Sequence, residues 1–229
     1  MTPDTVSDRF PATAATFLLP GPAGALEIAT AMPAAEVARA GTAIVCHPHP
    51  LQGGTMRNKV VTTLERALRE LGLATVRFNF RGIGASAGTF DDGRGETDDA
   101  LAVAAWVRRV RPDDVLWMAG FSFGSYVALR VAGASPVRQL ITVAPALTKL
   151  DFSALPTPAC PWLVIQGEAD EIVDPAAVYA FVGARAPPPT LVRVPDTSHF
   201  FHHRLLELRA IVQDGVRANL PPLLDAARA

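Results

Sequence analysis

The sequence predicts an α/β fold in which a mostly parallel central sheet is covered by helices on both faces. Short apolar segments rich in β-branched residues alternate with longer segments whose apolar residues recur every three or four positions, as strands and crossover helices do. The chain has 229 residues, enough for a large buried core. We expect a single domain over residues 1–229.

The strands are predicted in two groups. Residues 16–19 and 25–30 are separated by Pro20-Gly21-Pro22 and should form an N-terminal antiparallel hairpin that leads into the sheet. Six further apolar segments should form the rest of the sheet: 42–46, 74–80, 114–119, 139–143, 162–166 and 190–194.

Five helices are predicted between and after these strands, over residues 60–71, 96–110, 126–132, 175–184 and 200–216. The first has apolar residues at a period close to 3.6 and should end at Gly72. The fourth should be capped by Asp174, because an Asp before a Pro at the first helical position is typical of an N-cap.

Ser122 is the candidate nucleophile. It lies in Gly120-Phe121-Ser122-Phe123-Gly124, between a predicted strand and a predicted helix, and this order is typical of a nucleophile elbow, a sharp turn that exposes the serine hydroxyl. Residues 84–88 match the same G-x-S-x-G pattern but run into loop residues, Thr89-Phe90-Asp91-Asp92-Gly93. The flanking segments therefore favour Ser122 over Ser86.

A serine hydroxyl needs a base within hydrogen-bond reach and an acid that orients the base. His199 follows the last predicted strand and Asp170 follows the strand before it, so both should reach the edge of the sheet where Ser122 lies. His202 and His203 are expected on the following helix, and Glu168 and Glu171 in solvent. Ser122, Asp170 and His199 also follow the Ser, Asp, His order known from one class of hydrolases.

The oxyanion hole should consist of two backbone amides. Phe123, directly after the nucleophile, should supply one of them. The other should come from the loop His47-Pro48-His49-Pro50-Leu51-Gln52-Gly53-Gly54, in which the prolines have no N–H. We predict Leu51 as this donor, with Gln52 as the alternative.

These motifs resemble those of the α/β-hydrolase superfamily, and in particular of the small, capless bacterial serine hydrolases with an HPHP-type loop, which are similar to dienelactone hydrolases and esterases. The resemblance covers nearly the whole chain, from the HPHP loop through residues 78–84 and the elbow to the acid and histidine loops. It implies an α/β-hydrolase fold without a lid domain. The chain departs from many relatives in having His49-Pro50 where they have His-Gly.

Composition and charge exclude several other classes of function. The 21 basic and 22 acidic residues give a formal net charge of −1, so the chain lacks the basic surface that nucleic acids or anionic membranes require. No apolar run is long enough for a membrane helix and no signal peptide is evident, so we expect a cytoplasmic protein. The oligomeric state is left open.

We expect no cofactor and no metal. His47 and His49 could face the same way on an extended segment, but a third ligand at a recognisable spacing is missing and a loop-shaping role suffices. Residues 82–88 follow a strand like a dinucleotide-binding loop, but the last glycine is one position late. Phe121, Phe123, Phe200 and Phe201 could line an acyl pocket or pack in the core.

The predicted function is hydrolysis of a carboxylic ester with a small or medium acyl group, through Ser122, His199 and Asp170. The short connection after residue 144 predicts an open cleft, since larger relatives insert a helical lid there. A thioesterase or peptidase-type hydrolase is the alternative within the class, because a triad does not select the leaving group. A non-catalytic binding protein with the same fold is the alternative outside it.

Overall fold

The computed structural model describes residues 8–147 and 149–224. Within these residues, eight strands form one sheet in the order β1-β2-β4-β3-β5-β6-β7-β8. The strands are β1 Ala15–Gly21, β2 Gly24–Ala31, β3 Gly41–Cys46, β4 Ala74–Phe78, β5 Val115–Phe121, β6 Gln139–Val143, β7 Trp162–Gly167 and β8 Thr190–Val194. The helices are α1 Lys59–Glu70, α2 Arg94–Val110, α3 Phe123–Ala134, α4 Pro175–Gly183 and α5 Leu205–Val216.

The direction of the strands confirms the predicted α/β-hydrolase fold. β1 pairs antiparallel with β2, β2 pairs antiparallel with β4, and all pairings from β4 through β8 are parallel. The carboxyl ends of six strands therefore meet at one edge, and the loops that follow β5, β7 and β8 lie there together.

Two apolar clusters hold the helices on the two faces of the sheet. α2, α3 and α4 contribute to the cluster that contains Met118, whereas α1 and α5 contribute to the cluster that contains Trp117. These two residues are neighbours on β5, and successive strand side chains point to opposite faces. The central strand is thus buried on both sides, as its nearly continuous apolar sequence requires.

The N-terminal hairpin forms as predicted, but β1 continues through Pro20 to Gly21, beyond the predicted end at residue 19. Gly21 is paired with Gly24, so the turn consists of Pro22 and Ala23. A proline within a strand is tolerated here because β1 is the edge strand of the sheet.

The prediction of a helix over 200–216 is wrong at its start. α5 begins at Leu205, because Phe201 and His203 have φ angles of 53° and 62°, which an α-helix does not accommodate. The placement of His202 and His203 on this helix is therefore wrong as well, and both lie in the turns before it.

The connection between β6 and β7 forms no helix in its described residues, 144–147 and 149–161, and the fold has no lid domain over the edge where the strands end. Among the described residues, no helix has both the length and the apolar character needed to cross a membrane.

Candidate active site

Ser122 lies on a strained turn between β5 and α3. Its φ angle is 54°, and its amide donates to the carbonyl oxygen of Val143 at the end of β6, at 2.9 Å. A Cβ atom at Gly120 would collide with the carbonyl oxygen of Gly124, and one at Gly124 would collide with the carbonyl oxygens of Cys46 and His47. The two glycines of the pentapeptide are therefore required by close backbone approach.

Ser86, in the other G-x-S-x-G match, has a different environment. Its hydroxyl donates to the carbonyl oxygen of Asn79 at 2.7 Å and accepts from the amide of Glu27 at 2.9 Å. The first bond closes the loop after β4 on itself and the second holds this loop against β2 of the N-terminal hairpin, so Ser86 has a structural role.

The structure brings Ser122, His199 and Asp170 together. Nε2 of His199 lies 3.1 Å from Oγ of Ser122, and Nδ1 lies 2.9 Å from Oδ2 of Asp170. Ser122 follows β5, Asp170 follows β7 and His199 follows β8, so the three meet at the carboxyl edge of the sheet. They are 8%, 8% and 2% exposed, and water has little access to the two hydrogen bonds.

The carboxylate of Asp170 is held by four donors. Oδ1 accepts from the amides of Ile172 at 2.9 Å and Val173 at 2.7 Å, and Oδ2 accepts from Nε2 of Gln166 at 3.0 Å as well as from His199. Burial alone would raise the pKa of Asp170, but the hydrogen bonds from His199, Val173 and Ile172 outweigh it, and the pKa is lowered. Asp170 therefore stays ionised beside His199.

Asp174 has the capping role predicted for it, since its side chain accepts from the amide of Ala176 at 2.9 Å at the start of α4.

Two further residues hold the side chains of the candidate site and were not predicted. Glu171 is exposed, as expected, and its carboxylate also accepts a hydrogen bond from the backbone amide of His199 at 3.1 Å. Gln166 is fully buried at the end of β7 and supports Asp170. Neither role has a local sequence signal, because both depend on how the β7 and β8 loops pack together.

The predicted oxyanion donors differ in their surroundings. Phe123 is the first residue of α3, where backbone amides have no partner within the helix. The amide of Leu51, in contrast, donates to Nδ1 of His49 at 3.2 Å, within the short 3-10 helix Pro50–Gln52. The amide of His49, which lies between two prolines and was not among the predicted donors, has no acceptor among the described residues. Because the His49 ring packs 5.2 Å from that of Phe123, this loop lies against the elbow.

His47 fixes the same loop. It is fully buried, its Nδ1 lies 2.7 Å from the carbonyl oxygen of Pro48, and its Nε2 accepts from the amide of Phe80 at 3.0 Å. Burial lowers the pKa of His47 to about 4, although the bond to Pro48 acts in the opposite direction. The loop-shaping role expected for this histidine is thus observed, and among the described residues no group of His, Cys, Asp and Glu side chains could hold a metal ion.

The low pKa of His47 predicts a loss of stability in mild acid. In the unfolded chain His47 takes up a proton as the pH falls through about 6.5, whereas in the folded chain it does so only near pH 4. The free energy of unfolding should therefore be at its full value above about pH 6.5 and should decrease towards pH 4, with His47 contributing about 3 kcal/mol over this window.

Urea unfolding at about pH 7 and about pH 4.5 measures this loss. His47→Gln should have a lower free energy of unfolding at neutral pH than the wild type, but this free energy should decrease less on acidification. His202→Gln alters an exposed histidine and should behave like the wild type. If His47→Gln lost as much stability on acidification as the wild type, the loss could not be attributed to His47.

The aromatic residues near the site are mainly part of the core. Phe121, Phe123 and Phe201 are at most 1% exposed, and only Phe200 is partly accessible. The ring centroids of Phe121 and Phe200 both lie 5.0 Å from that of His199, on which they pack. Their role is therefore to confine the imidazole.

Comparison with known proteins identifies the family. Residues 25–158, more than half of the chain, match the family described as X-Pro dipeptidyl-peptidase (S15 family). The chain belongs to the S15 family. An uncharacterised protein of Rickettsia prowazekii is 32% identical over 204 residues, which cover 85% of each chain.

Solved structures extend the similarity of this S15 family member. An α/β serine hydrolase without lid from Xanthomonas campestris is 56% identical, with a TM-score of 0.91, over 93% of this chain and 98% of that one. An α/β serine hydrolase homologue from Coxiella burnetii is 48% identical, with a TM-score of 0.87, over 90% of this chain and 99% of that one. The chain is thus a small α/β serine hydrolase of the capless type.

Proposed function

We propose that this serine hydrolase cleaves carboxylic esters with small or medium acyl groups, through an acyl-enzyme on Ser122. The observation that carries the proposal is the continuous hydrogen-bond chain from Ser122 through His199 to Asp170, with distances of 3.1 Å and 2.9 Å. Nucleophilic catalysis by serine needs these partners at this separation.

Ser122, His199 and Asp170 each have a defined role in the proposed reaction. Oγ of Ser122 attacks the ester carbonyl carbon while Nε2 of His199 takes the hydroxyl proton, and His199 then returns the proton to the departing alkoxide oxygen. A water molecule, deprotonated by His199, then attacks the acyl carbon of the acyl-enzyme; the bond to Oγ of Ser122 breaks, His199 returns the proton to Oγ, and the acid is released. Asp170 accepts from Nδ1–H throughout, which leaves the lone pair of Nε2 directed at Ser122 and stabilises the imidazolium that forms.

The amide of Phe123 and one amide of the loop after β3 would hold the oxyanion. Leu51 remains a candidate for the second donor, but its amide would first have to leave Nδ1 of His49. The amide of His49 needs no such rearrangement, which favours it. Removing one such donor typically costs about 100-fold or more in rate.

Two features support an ester with a modest acyl group. The part of the chain that the structure describes contains no lid domain over the site, so the loops around the site enclose the acyl chain. Leu51 is 71% exposed and Ile172 is 41% exposed, each on a loop that carries candidate site residues, so both side chains are available for apolar contact with an acyl group. An alcohol also departs more readily than an amine, so ester cleavage makes fewer demands on this open site.

A peptidase-type activity is the second candidate, because the matched family is described as X-Pro dipeptidyl-peptidase. The same triad could cleave an acyl bond to nitrogen if the cleft positioned the substrate well enough. Thioesters belong to this alternative as well.

Two measurements test the proposal. A fluorophosphonate probe should label Ser122 in the folded protein; a folded protein without label would favour the non-catalytic binding protein. A panel of p-nitrophenyl esters from acetate to decanoate, acyl thioesters and X-Pro p-nitroanilides should then give the highest kcat/KM with a short or medium ester. A higher value for an X-Pro substrate would replace the ester hydrolase with the peptidase.

A further inference from the structure

A groove of about 700 Å³ lies on the α1 face of the sheet, at the end that contains β1 and β2. It shares no lining residue with the candidate active site. Its floor is made of small side chains, including Ala29 and Ala31 of β2. These pair with Arg77 and Thr75 of β4, so all four side chains lie on the same face of the sheet. The alanines leave open space beside the Arg77 side chain.

The charges in this groove do not balance. Glu65 of α1 is only 8% exposed, and its Oε1 accepts from Nε of Arg69 at 2.8 Å and from Oγ1 of Thr75 at 3.1 Å. Glu65 therefore neutralises Arg69. Arg77 donates from Nη1 to the carbonyl oxygen of Met56 at 2.7 Å, and it has no carboxylate within ion-pair distance among the described residues.

Arg77 is held in an unfavourable environment for a cation. It is partly buried, and burial lowers its pKa; Glu65 opposes this effect, whereas the positive charges of Arg57 and Arg69 lower the pKa further. A half-buried guanidinium that has no ion-pair partner among the described residues, and whose pKa two other guanidinium groups lower, would be stabilised by an anion that accepts its remaining N–H groups.

We propose that this groove binds the oxyanion group of a small ligand, a phosphate or a carboxylate, between the guanidinium groups of Arg77 and Arg69. The planar fork of an arginine matches two oxygens of either group. Nε of Arg69 is used by Glu65, but its terminal nitrogens have no acceptor among the described residues and remain for the ligand. The alanine-lined floor accommodates the rest of the molecule.

The test is calorimetric titration of the whole protein with inorganic phosphate and, separately, with acetate, at constant ionic strength. Saturable binding of phosphate alone assigns a phosphate group, and binding of acetate assigns the carboxylate. Arg69→Gln should weaken the binding at least tenfold, the loss expected for a charge-assisted contact.

Arg66→Gln is the matched control. Arg66 lies on the same helix and forms an i,i+4 ion pair with Glu70 at 2.9 Å, as Arg69 does with Glu65 at 2.8 Å, but it does not line the groove. The affinity of the Arg66→Gln variant for the anion should equal that of the wild type.

A second variant tests the groove without changing any charge. Ala31→Leu fills the groove and should also weaken binding at least tenfold, and circular dichroism checks that each variant is folded. Arg77→Gln is less suitable, because Arg77 also holds Met56 at the end of the loop after β3. No saturable binding of either anion, or equal weakening in Arg66→Gln and Arg69→Gln, would overturn the proposal.

Discussion

Ser122→Ala is expected to abolish ester hydrolysis, with kcat lowered roughly a million-fold. The substitution removes the oxygen that forms the acyl-enzyme and leaves His199 without a proton to take. The fold should be retained, because Gly120 and Gly124 relieve the close backbone contacts of the turn, and within the described residues the Ser122 hydroxyl bonds to His199 alone. Turnover of p-nitrophenyl acetate and the circular dichroism spectrum measure both effects.

The chain offers a matched control in its other G-x-S-x-G segment. Ser86→Ala removes two structural hydrogen bonds and should cost about 1–3 kcal/mol of stability. The folded fraction should keep the wild-type kcat and react with a fluorophosphonate. Turnover that survives in Ser122→Ala, or that is lost equally in Ser86→Ala, would remove Ser122 from the nucleophile's role.

Asp170→Asn should lower kcat about 10⁴-fold without loss of the fold. The two backbone amides of Ile172 and Val173 require an acceptor, so the asparagine will keep its carbonyl oxygen towards them. Its NH₂ group then faces Nδ1 of His199, which must become an acceptor. The proton of the neutral imidazole moves to Nε2, where it blocks proton transfer from Ser122.

Asp174→Asn separates this effect from a general loss of charge. Asp174 lies four residues further along the same loop and caps α4, a role that asparagine fills equally well. Its kcat should stay within a factor of two of the wild type, and the pair should be compared by kcat/KM on the same ester. Asp170 would not be the orienting acid if both variants were equally active.

Much of the fold could be predicted because strand and helix periodicities are local. The strands over 139–143 and 190–194 were predicted with the bounds that the structure has. The start of α5 could not be predicted, because the apolar residues continue through Phe200 and Phe201 while the backbone turns at two residues with positive φ angles. These turns belong to the segment that presents His199, and the geometry of the site outweighs the helical pattern there.

In the candidate site, too, features with a local sequence signal could be predicted and features that depend on tertiary contacts could not. Ser122, Asp170 and His199 could be proposed because each follows a strand whose end lies at a common edge. The bond of Leu51 to Nδ1 of His49 could not be predicted, since it depends on the rotamer of a neighbouring side chain. Gln166 and Glu171 were missed because they support the site only through contacts between loops that are distant in sequence.

The contact of Gly124 with the end of β3 has a consequence for engineering the cleft. The helix that follows the candidate nucleophile packs directly on the carbonyl oxygens of Cys46 and His47, so a side chain at position 124 has no room between the elbow and the loop after β3. A larger residue at position 124 would push the candidate nucleophile away from the loop after β3, which carries the second candidate oxyanion donor.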